Sequence, residues 1–147
     1  MKNLAYKTAI SRKAPSAPMK WLDANGKLLG KKLDYGCGKG YDAETFGMEK
    51  YDPHFFKCDD FCAGEFDTIT SNFVLNVIAD EKERQFVLDS IIHWLKPDGH
   101  AYVTIRADKD KLKGYTSKGT FQTYVTMPSD WKLLHKGSGY ETYEYIG

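Results

Sequence analysis

Leu33-Asp34-Tyr35-Gly36-Cys37-Gly38-Lys39-Gly40-Tyr41-Asp42 is the stretch that decides how this chain folds. The run Leu28 to Tyr35 predicts a strand. Three glycines at alternate positions follow it, and residues 41 to 47 predict a short helix. Glycine lets the backbone turn sharply and lets a ligand lie against it. A loop that leaves the carboxyl end of a strand is where open α/β sheets bind ligands.

The spacing is Gly-x-Gly-x-Gly, where a dinucleotide fingerprint has Gly-x-Gly-x-x-Gly. An acid, Asp34, stands two residues before the first glycine. A carboxylate there repels a pyrophosphate. It does not repel a ligand that carries a sulfonium and an ammonium. A second motif follows in Tyr51-Asp52-Pro53-His54. Glu49 to Asp52 predicts a short strand, and an acid at its end, near the usual twenty-residue spacing, suits the grip on ribose hydroxyls. Carboxylate hydrogen bonds are the stronger, charge-assisted kind.

Outward from these motifs, Phe66 to Ser71 predicts a central strand. Asp80 to Leu95 predicts the clearest helix, with Asp80 as N-cap and Glu83 three residues on. Leu88, Ile91, Ile92 and Leu95 recur at helical spacing and predict a face packed on a sheet. Lys96-Pro97-Asp98-Gly99 predicts its stop, and Ala101 to Arg106 the next strand. Thr120 to Met127 reads as β. Trp131 to His135 and Tyr140 to Ile146 flank Lys136-Gly137-Ser138-Gly139, a hairpin signal. Strands alternating with helices imply a mostly parallel sheet, and the final hairpin adds antiparallel strands. Residues 1 to 20, with Pro15 and Pro18, predict an extended arm. Met19 to Leu22 starts a short helix before the Asn25-Gly26 turn.

The 147 residues are 41% hydrophobic and 28% charged, which suits one soluble domain over residues 1–147. No run of about 18 apolar residues is present, and no membrane is expected as partner. The N-terminus shows no signal-peptide pattern. Cys37, Cys58 and Cys62 are an odd, sparse set that suits a reducing, cytoplasmic compartment. Their spacing provides no metal site. Residues 1 to 32 hold eight Lys/Arg and one acid, whereas residues 33 to 98 hold six basic and fourteen acidic residues. The basic segment is either a solvated surface or an approach to phosphates.

The ordered motifs resemble those of class I S-adenosylmethionine (SAM)-dependent methyltransferases, with a match from about residue 31 to 106. The resemblance implies a Rossmann-like α/β sheet with helices on both faces and SAM as cofactor. It places Asp34, Gly36, Cys37, Gly38, Gly40 and Asp42 at the methionine part of SAM. Asp52, with Pro53 and His54, falls at the ribose. Asn72 and Phe73 fall at the end of the fourth strand of that family. More narrowly, Lys7-Thr8-Ala9-Ile10-Ser11-Arg12, Pro15-Ser16-x-Pro18 and Val74-Leu75-Asn76-Val77-Ile78 look like a methyltransferase group associated with DNA phosphorothioation.

The chain departs from the family in its middle. About thirteen residues separate Asp52 from Phe66, too few for a full helix and strand. The expected fold is therefore a minimal version, with the third strand and its helix truncated and a C-terminal antiparallel hairpin. Asp59 and Asp60 either reach the adenine or are turn residues. Ser71-Asn72-Phe73 stands where an amino-methylating DNA enzyme has Asn/Asp-Pro-Pro-Tyr/Phe, and no Pro-Cys motif suggests cytosine C5 chemistry.

No residue has a fixed catalytic role; the candidates are Asn72, Asn76 and Arg106. Asn76 equally suits a brace before Asp80. Arg106 either binds a substrate acid or pairs with Asp108. His54 is either catalytic or a turn residue. The segment Lys7 to Arg12 is either a lid over the cofactor or a disordered terminus. The C-terminal aromatics, with Lys109, Lys111, Lys113 and Lys118, either stack bases or pack a hairpin. The function expected is methyl transfer from SAM to nucleic acid or a related small molecule. The competing classes are a SAM-cleaving lyase or hydrolase and a non-catalytic SAM-binding module.

Overall fold

The computed structural model describes residues 6, 9, 12–58, 60–108, 112–115 and 119–147. Strand β1 (Lys32–Tyr35) is followed by helix α2 (Tyr41–Thr45) and strand β2 (Glu49–Tyr51). Then come β3 (Phe66–Asn72), a 3-10 turn (Leu75–Val77), helix α3 (Glu81–Trp94) and β4 (Leu95–Arg106). Helix α1 (Ala17–Ala24) precedes β1. The short strands β5 (Gly114–Tyr115) and β6 (Phe121–Gln122) pair separately, and β7 (Trp131–Gly137) and β8 (Tyr140–Tyr145) close the chain.

The six-stranded sheet has the order β2-β1-β3-β4-β8-β7. Strands β1 to β4 pair with one another in parallel; β8 runs antiparallel to β4, and β7 antiparallel to β8. This is the minimal Rossmann-like sheet the sequence predicts. Among the described residues no strand lies beyond β2. The chain instead crosses from β2 to β3 through a loop held by an Asp52–Phe56 bridge.

The strand period of two places alternate β4 residues on opposite faces. Ala101, Val103 and Ile105 pack with Val87, Leu88 and Ile91 of α3. Tyr102 packs on the other side with Met19 and Leu22 of α1 and with Ala43 and Met48. Beside β2 aromatic side chains cover the sheet. Phe61 sits edge-on to both Phe66 and Trp94, at 5.1 and 5.2 Å between centroids, and Trp94 meets Tyr51 at 5.4 Å.

Several boundaries differ from expectation. The arm predicted for residues 1 to 20 ends early, because α1 begins at Ala17 with Pro18 in its first turn. A proline is tolerated there, since that N–H has no helical partner to lose. Strand β1 is shorter than Leu28 to Tyr35, because Gly30 takes φ 66° and Lys31 N–H turns to the Asp67 carboxylate at 2.8 Å. Helix α3 has Asp80 as N-cap, its side chain accepting from Lys82 N–H at 2.9 Å. The helix stops at Trp94, just before Lys96 to Gly99 as expected, but those four residues belong to β4 rather than to a free turn. Leu95 pairs with Phe66 and His100 with Thr68, so residues 96 to 99 bulge out of the ladder. The β-rich run Thr120 to Met127 forms only β6, and its Val125 serves the core instead.

Candidate functional site

One cavity of about 970 Å³ runs across the carboxyl ends of the parallel strands. That volume is at the upper end of the roughly 300–1,000 Å³ common for ligand pockets. The sheet order sets its contents. The ends of β2 and β1 supply Asp52, Pro53, His54, Asp34 and the glycine loop. The ends of β3 and β4 supply Asn72, Phe73, Asn76 and Arg106, and the β7–β8 turn adds Ser138 and Gly139.

The glycine loop is fastened to β2. Gly36 and Cys37 N–H both donate to Tyr51 O, at 2.7 and 3.0 Å, and Gly38 N–H donates to Asp52 Oδ2 at 2.9 Å. Gly36 has φ 77°, and a Cβ there would lie 2.4 Å from Val74 Cγ2, so no side chain fits. The loop N–H groups that would cradle an anion are thus committed to the protein itself.

Asp52 also accepts from His54 N–H at 2.9 Å and Phe55 N–H at 3.1 Å, which aims both its oxygens. Asp34 is buried, and Thr70 Oγ1 donates to it at 3.0 Å. Burial above all, with the Asp42 and Asp52 carboxylates adding, pushes its pKa up to about 7 against the Thr70 bond and the Arg12 charge. Cys37 is a free thiol whose pKa is raised by burial first and then by Asp34 and Asp52, so it stays protonated and unreactive.

Asp42 lines the cavity wall, but both carboxylate oxygens are taken by Ser16. Ser16 N–H donates at 2.9 Å and Ser16 Oγ at 2.7 Å. This buried pair ties the start of α1 to the start of α2. Tyr6, Ala9 and Arg12 line the cavity from above the loop. Tyr6 stacks on His54 with centroids 3.9 Å apart, and a Cβ on Gly38 would meet Ala9 Cβ at 3.3 Å. Of the candidate lid segment, Lys7, Thr8, Ile10 and Ser11 lie outside the described residues.

Past β3 the lining changes. Phe73 has φ 61°, a conformation costly for a bulky residue, and its N–H is held by Thr104 O at 2.8 Å. Asn72 Nδ2 and Oδ1 are buried without a hydrogen-bond partner, as is Asn76 Oδ1. Asn76 Nδ2 donates to Gln122 Oε1 at 2.8 Å. Arg106 pairs with Asp108 through two bonds, at 3.0 and 2.5 Å, which is the second of its two expected roles.

Asp60 is exposed and is not part of the cavity wall, whereas Asp59 lies outside the described residues. Lys109, Lys111 and Lys118 also lie outside them. The C-terminal aromatics are largely engaged within the fold. Tyr124 and Tyr143 hydroxyls donate to Glu141 Oε1, at 2.9 and 3.1 Å, and Trp131 meets Tyr145 at 5.2 Å. Gln122, Phe86, Ser138 and Tyr6 line the cavity without having been singled out as site residues. None of them sits in a motif that points to a ligand, and only chain crossings bring them there. Among the described residues no cluster suits a metal ion, and no helix is long and apolar enough to cross a membrane.

No family model and no curated protein matches the chain. Solved structures do. A candidate type 11 methyltransferase from Sulfolobus solfataricus superposes with a TM-score of 0.61 at 14% identity, over 89% of this chain and 92% of the other. The N-methyltransferase NodS from Bradyrhizobium japonicum, in complex with S-adenosylhomocysteine, gives 0.57 at 12% identity, over 87% and 83%. The 1,6-didemethyltoxoflavin-N1-methyltransferase of Burkholderia thailandensis, with that substrate and S-adenosylhomocysteine bound, gives 0.57 at 15% identity, over 88% and 76%. The chain has the Rossmann-like fold of these methyltransferases.

Proposed function

We propose that this chain binds SAM and transfers its methyl group to an acceptor that is a nucleic acid or a related small molecule. One observation carries the reading. The glycine loop spends the N–H groups of Gly36, Cys37 and Gly38 on Tyr51 and Asp52, and the carboxylates of Asp34 and Asp52 line the same end of the cavity. Such a site rejects a pyrophosphate and favours a ligand with cationic centres.

The donor set fits the cofactor piece by piece. Asp52, its oxygens oriented by three backbone N–H groups, is placed to accept from ribose hydroxyls. Asp34 would hold the ammonium, whose charge would favour the ionised carboxylate over the protonated one. The glycine loop would hold the methionine part. SAM itself supplies the activated methyl group, and the chain contributes position and exclusion of water. The Tyr6–His54 stack and Ala9 close over the loop and serve that exclusion. A general base is needed only where the acceptor must lose a proton early.

The eight basic residues of the first 32 support a phosphate-bearing acceptor. The three free cysteines support a cytoplasmic place of action.

The test is mass spectrometry of SAM incubated with pure protein, with and without fractionated extract containing DNA, RNA and metabolites. S-adenosylhomocysteine formed only with extract is expected. SAM consumed without extract and without S-adenosylhomocysteine would make the protein a cleaving enzyme. SAM left intact by every fraction would leave a binding module.

A further inference from the structure

The chain before α1 crosses the glycine loop and is fastened on both sides of Arg12. Ahead of it, Tyr6 stacks on His54, and a Cβ on Gly38 would lie 3.3 Å from Ala9 Cβ. Behind it, the Tyr41 hydroxyl donates to Lys13 O at 3.3 Å, and Ser16 makes its two bonds to Asp42. Arg12 lies between these anchors, is half-buried and forms part of the cavity wall. Its charge is felt inside. Burial pushes the Asp34 carboxyl up, and Arg12 draws it back down.

The charges of the cavity wall are unevenly spent. Arg106 is bound by Asp108, and Lys39 is engaged within the protein. Asp42 is taken by Ser16, and Asp52 accepts from three backbone N–H groups. Among the described residues Arg12 makes no ion pair and no hydrogen bond. Asp34 accepts from Thr70 and holds no cation among them. An unpaired guanidinium and an unpaired acid thus share one end of the cavity. They stand near enough for their charges to act on each other and too far apart for an ion pair, a spacing that suits a zwitterion set between them.

The glycine loop cannot serve an anion in place of Arg12. The N–H groups of Gly36, Cys37, Gly38 and Gly40 are all donated within the protein. The acids Asp34 and Asp52 repel a carboxylate. A guanidinium, by contrast, meets a carboxylate with two parallel bonds.

We infer that Arg12 receives the carboxylate of the ligand's amino-acid part and makes the site selective for ligands that carry it. An adenosine derivative that keeps the amine but lacks the carboxylate would fit Asp34 and Asp52 as well as SAM does. Only Arg12 tells the two apart. The inference rests on the SAM-binding reading above, and adds to it a selection that two acids cannot make.

The test is calorimetric titration of the full-length protein with S-adenosylhomocysteine and with S-adenosyl-3-thiopropylamine, which differs by the missing carboxylate alone. Wild type should bind S-adenosylhomocysteine about tenfold or more tightly, the size of a charge-assisted pair. Arg12→Gln should abolish or reverse that preference by weakening S-adenosylhomocysteine. The amine should keep its wild-type affinity, which reports an intact cavity. Arg12→Lys should recover part of the preference, since an ammonium has the charge without the fork. Lys13→Gln, which removes an exposed cation outside the cavity wall, should keep all of it. Equal binding of the two ligands by wild type, a preference that survives Arg12→Gln, or an equal loss in Lys13→Gln overturns the inference while S-adenosylhomocysteine binding still stands. Arg12→Gln weakening both ligands alike also overturns it, since Arg12 would then serve only to hold the chain in place. Failure of wild type to bind either ligand overturns the SAM-binding reading and this inference with it.

Discussion

Asp34 holds the most unusual position of any single side chain in this protein. Its pKa is raised from 3.8 to about 7, so the folded state binds a proton that the unfolded chain has already lost. The stability it contributes is fully present below about pH 4 and is lost as pH rises through about 7. Asp34→Asn keeps an acceptor for Thr70 and removes that loss. The variant should gain on the order of 2–4 kcal/mol over wild type between pH 5 and pH 8, read by urea unfolding at both values. A constant difference across that range would mean that Asp34 is ionised throughout. Asp52 acts differently, because its carboxylate binds Gly38 N–H and is proposed to bind ribose as well. Asp52→Ala should weaken S-adenosylhomocysteine binding by about 1.5–3 kcal/mol in calorimetry. Affinity equal to wild type would move the ribose elsewhere. Both acids were legible in the chain as acids flanking a glycine loop. The burial of Asp34 was not, because burial depends on what α1 and β3 lay over it.

Helix ends and loop attachments were legible unevenly, and their energetics follow the same division. The N-cap of α3 was plain from Asp80 before Glu83, since capping is a local interaction within one turn. Asp80→Ala should destabilise the protein by about 1 kcal/mol in denaturant titration. Helix α1 was expected only from Met19 onward, and its tether could not be read at all. Ser16 and Asp42 are 26 residues apart, and their buried double bond forms only when α1 lands on α2. Ser16→Ala leaves Asp42 Oδ2 buried without its donor and should cost about 1–3 kcal/mol. The residues before α1 add Tyr6, Ala9 and Arg12 to the cavity wall. Removing residues 1–13 should weaken S-adenosylhomocysteine binding while α1 and its Ser16 tether keep the fold intact. Unchanged affinity would reduce that segment to a passive terminus.

Across the molecule, aromatic packing covers the sheet beside β2. Phe61, Trp94, Tyr51 and Tyr35 fill that face. The alternation of strands and helices, the glycine loop, the acid after β2 and the shortened middle were all written in the chain. Each is expressed within a few residues, as periodicity, turn chemistry or spacing. The sequence by itself thus determined the Rossmann-like sheet, the place of the cavity at its carboxyl edge and the acids beside its glycine loop. Only the tertiary structure decided which of the candidate side chains are spent and which are buried without a partner. It bonds Asp42 to Ser16 and Arg106 to Asp108, and it leaves Asn72 and the Asn76 oxygen unpartnered. The physical reason is range. A strand or a cap answers to its neighbours along the chain, whereas a buried hydrogen bond answers to whichever distant segment the fold sets against it.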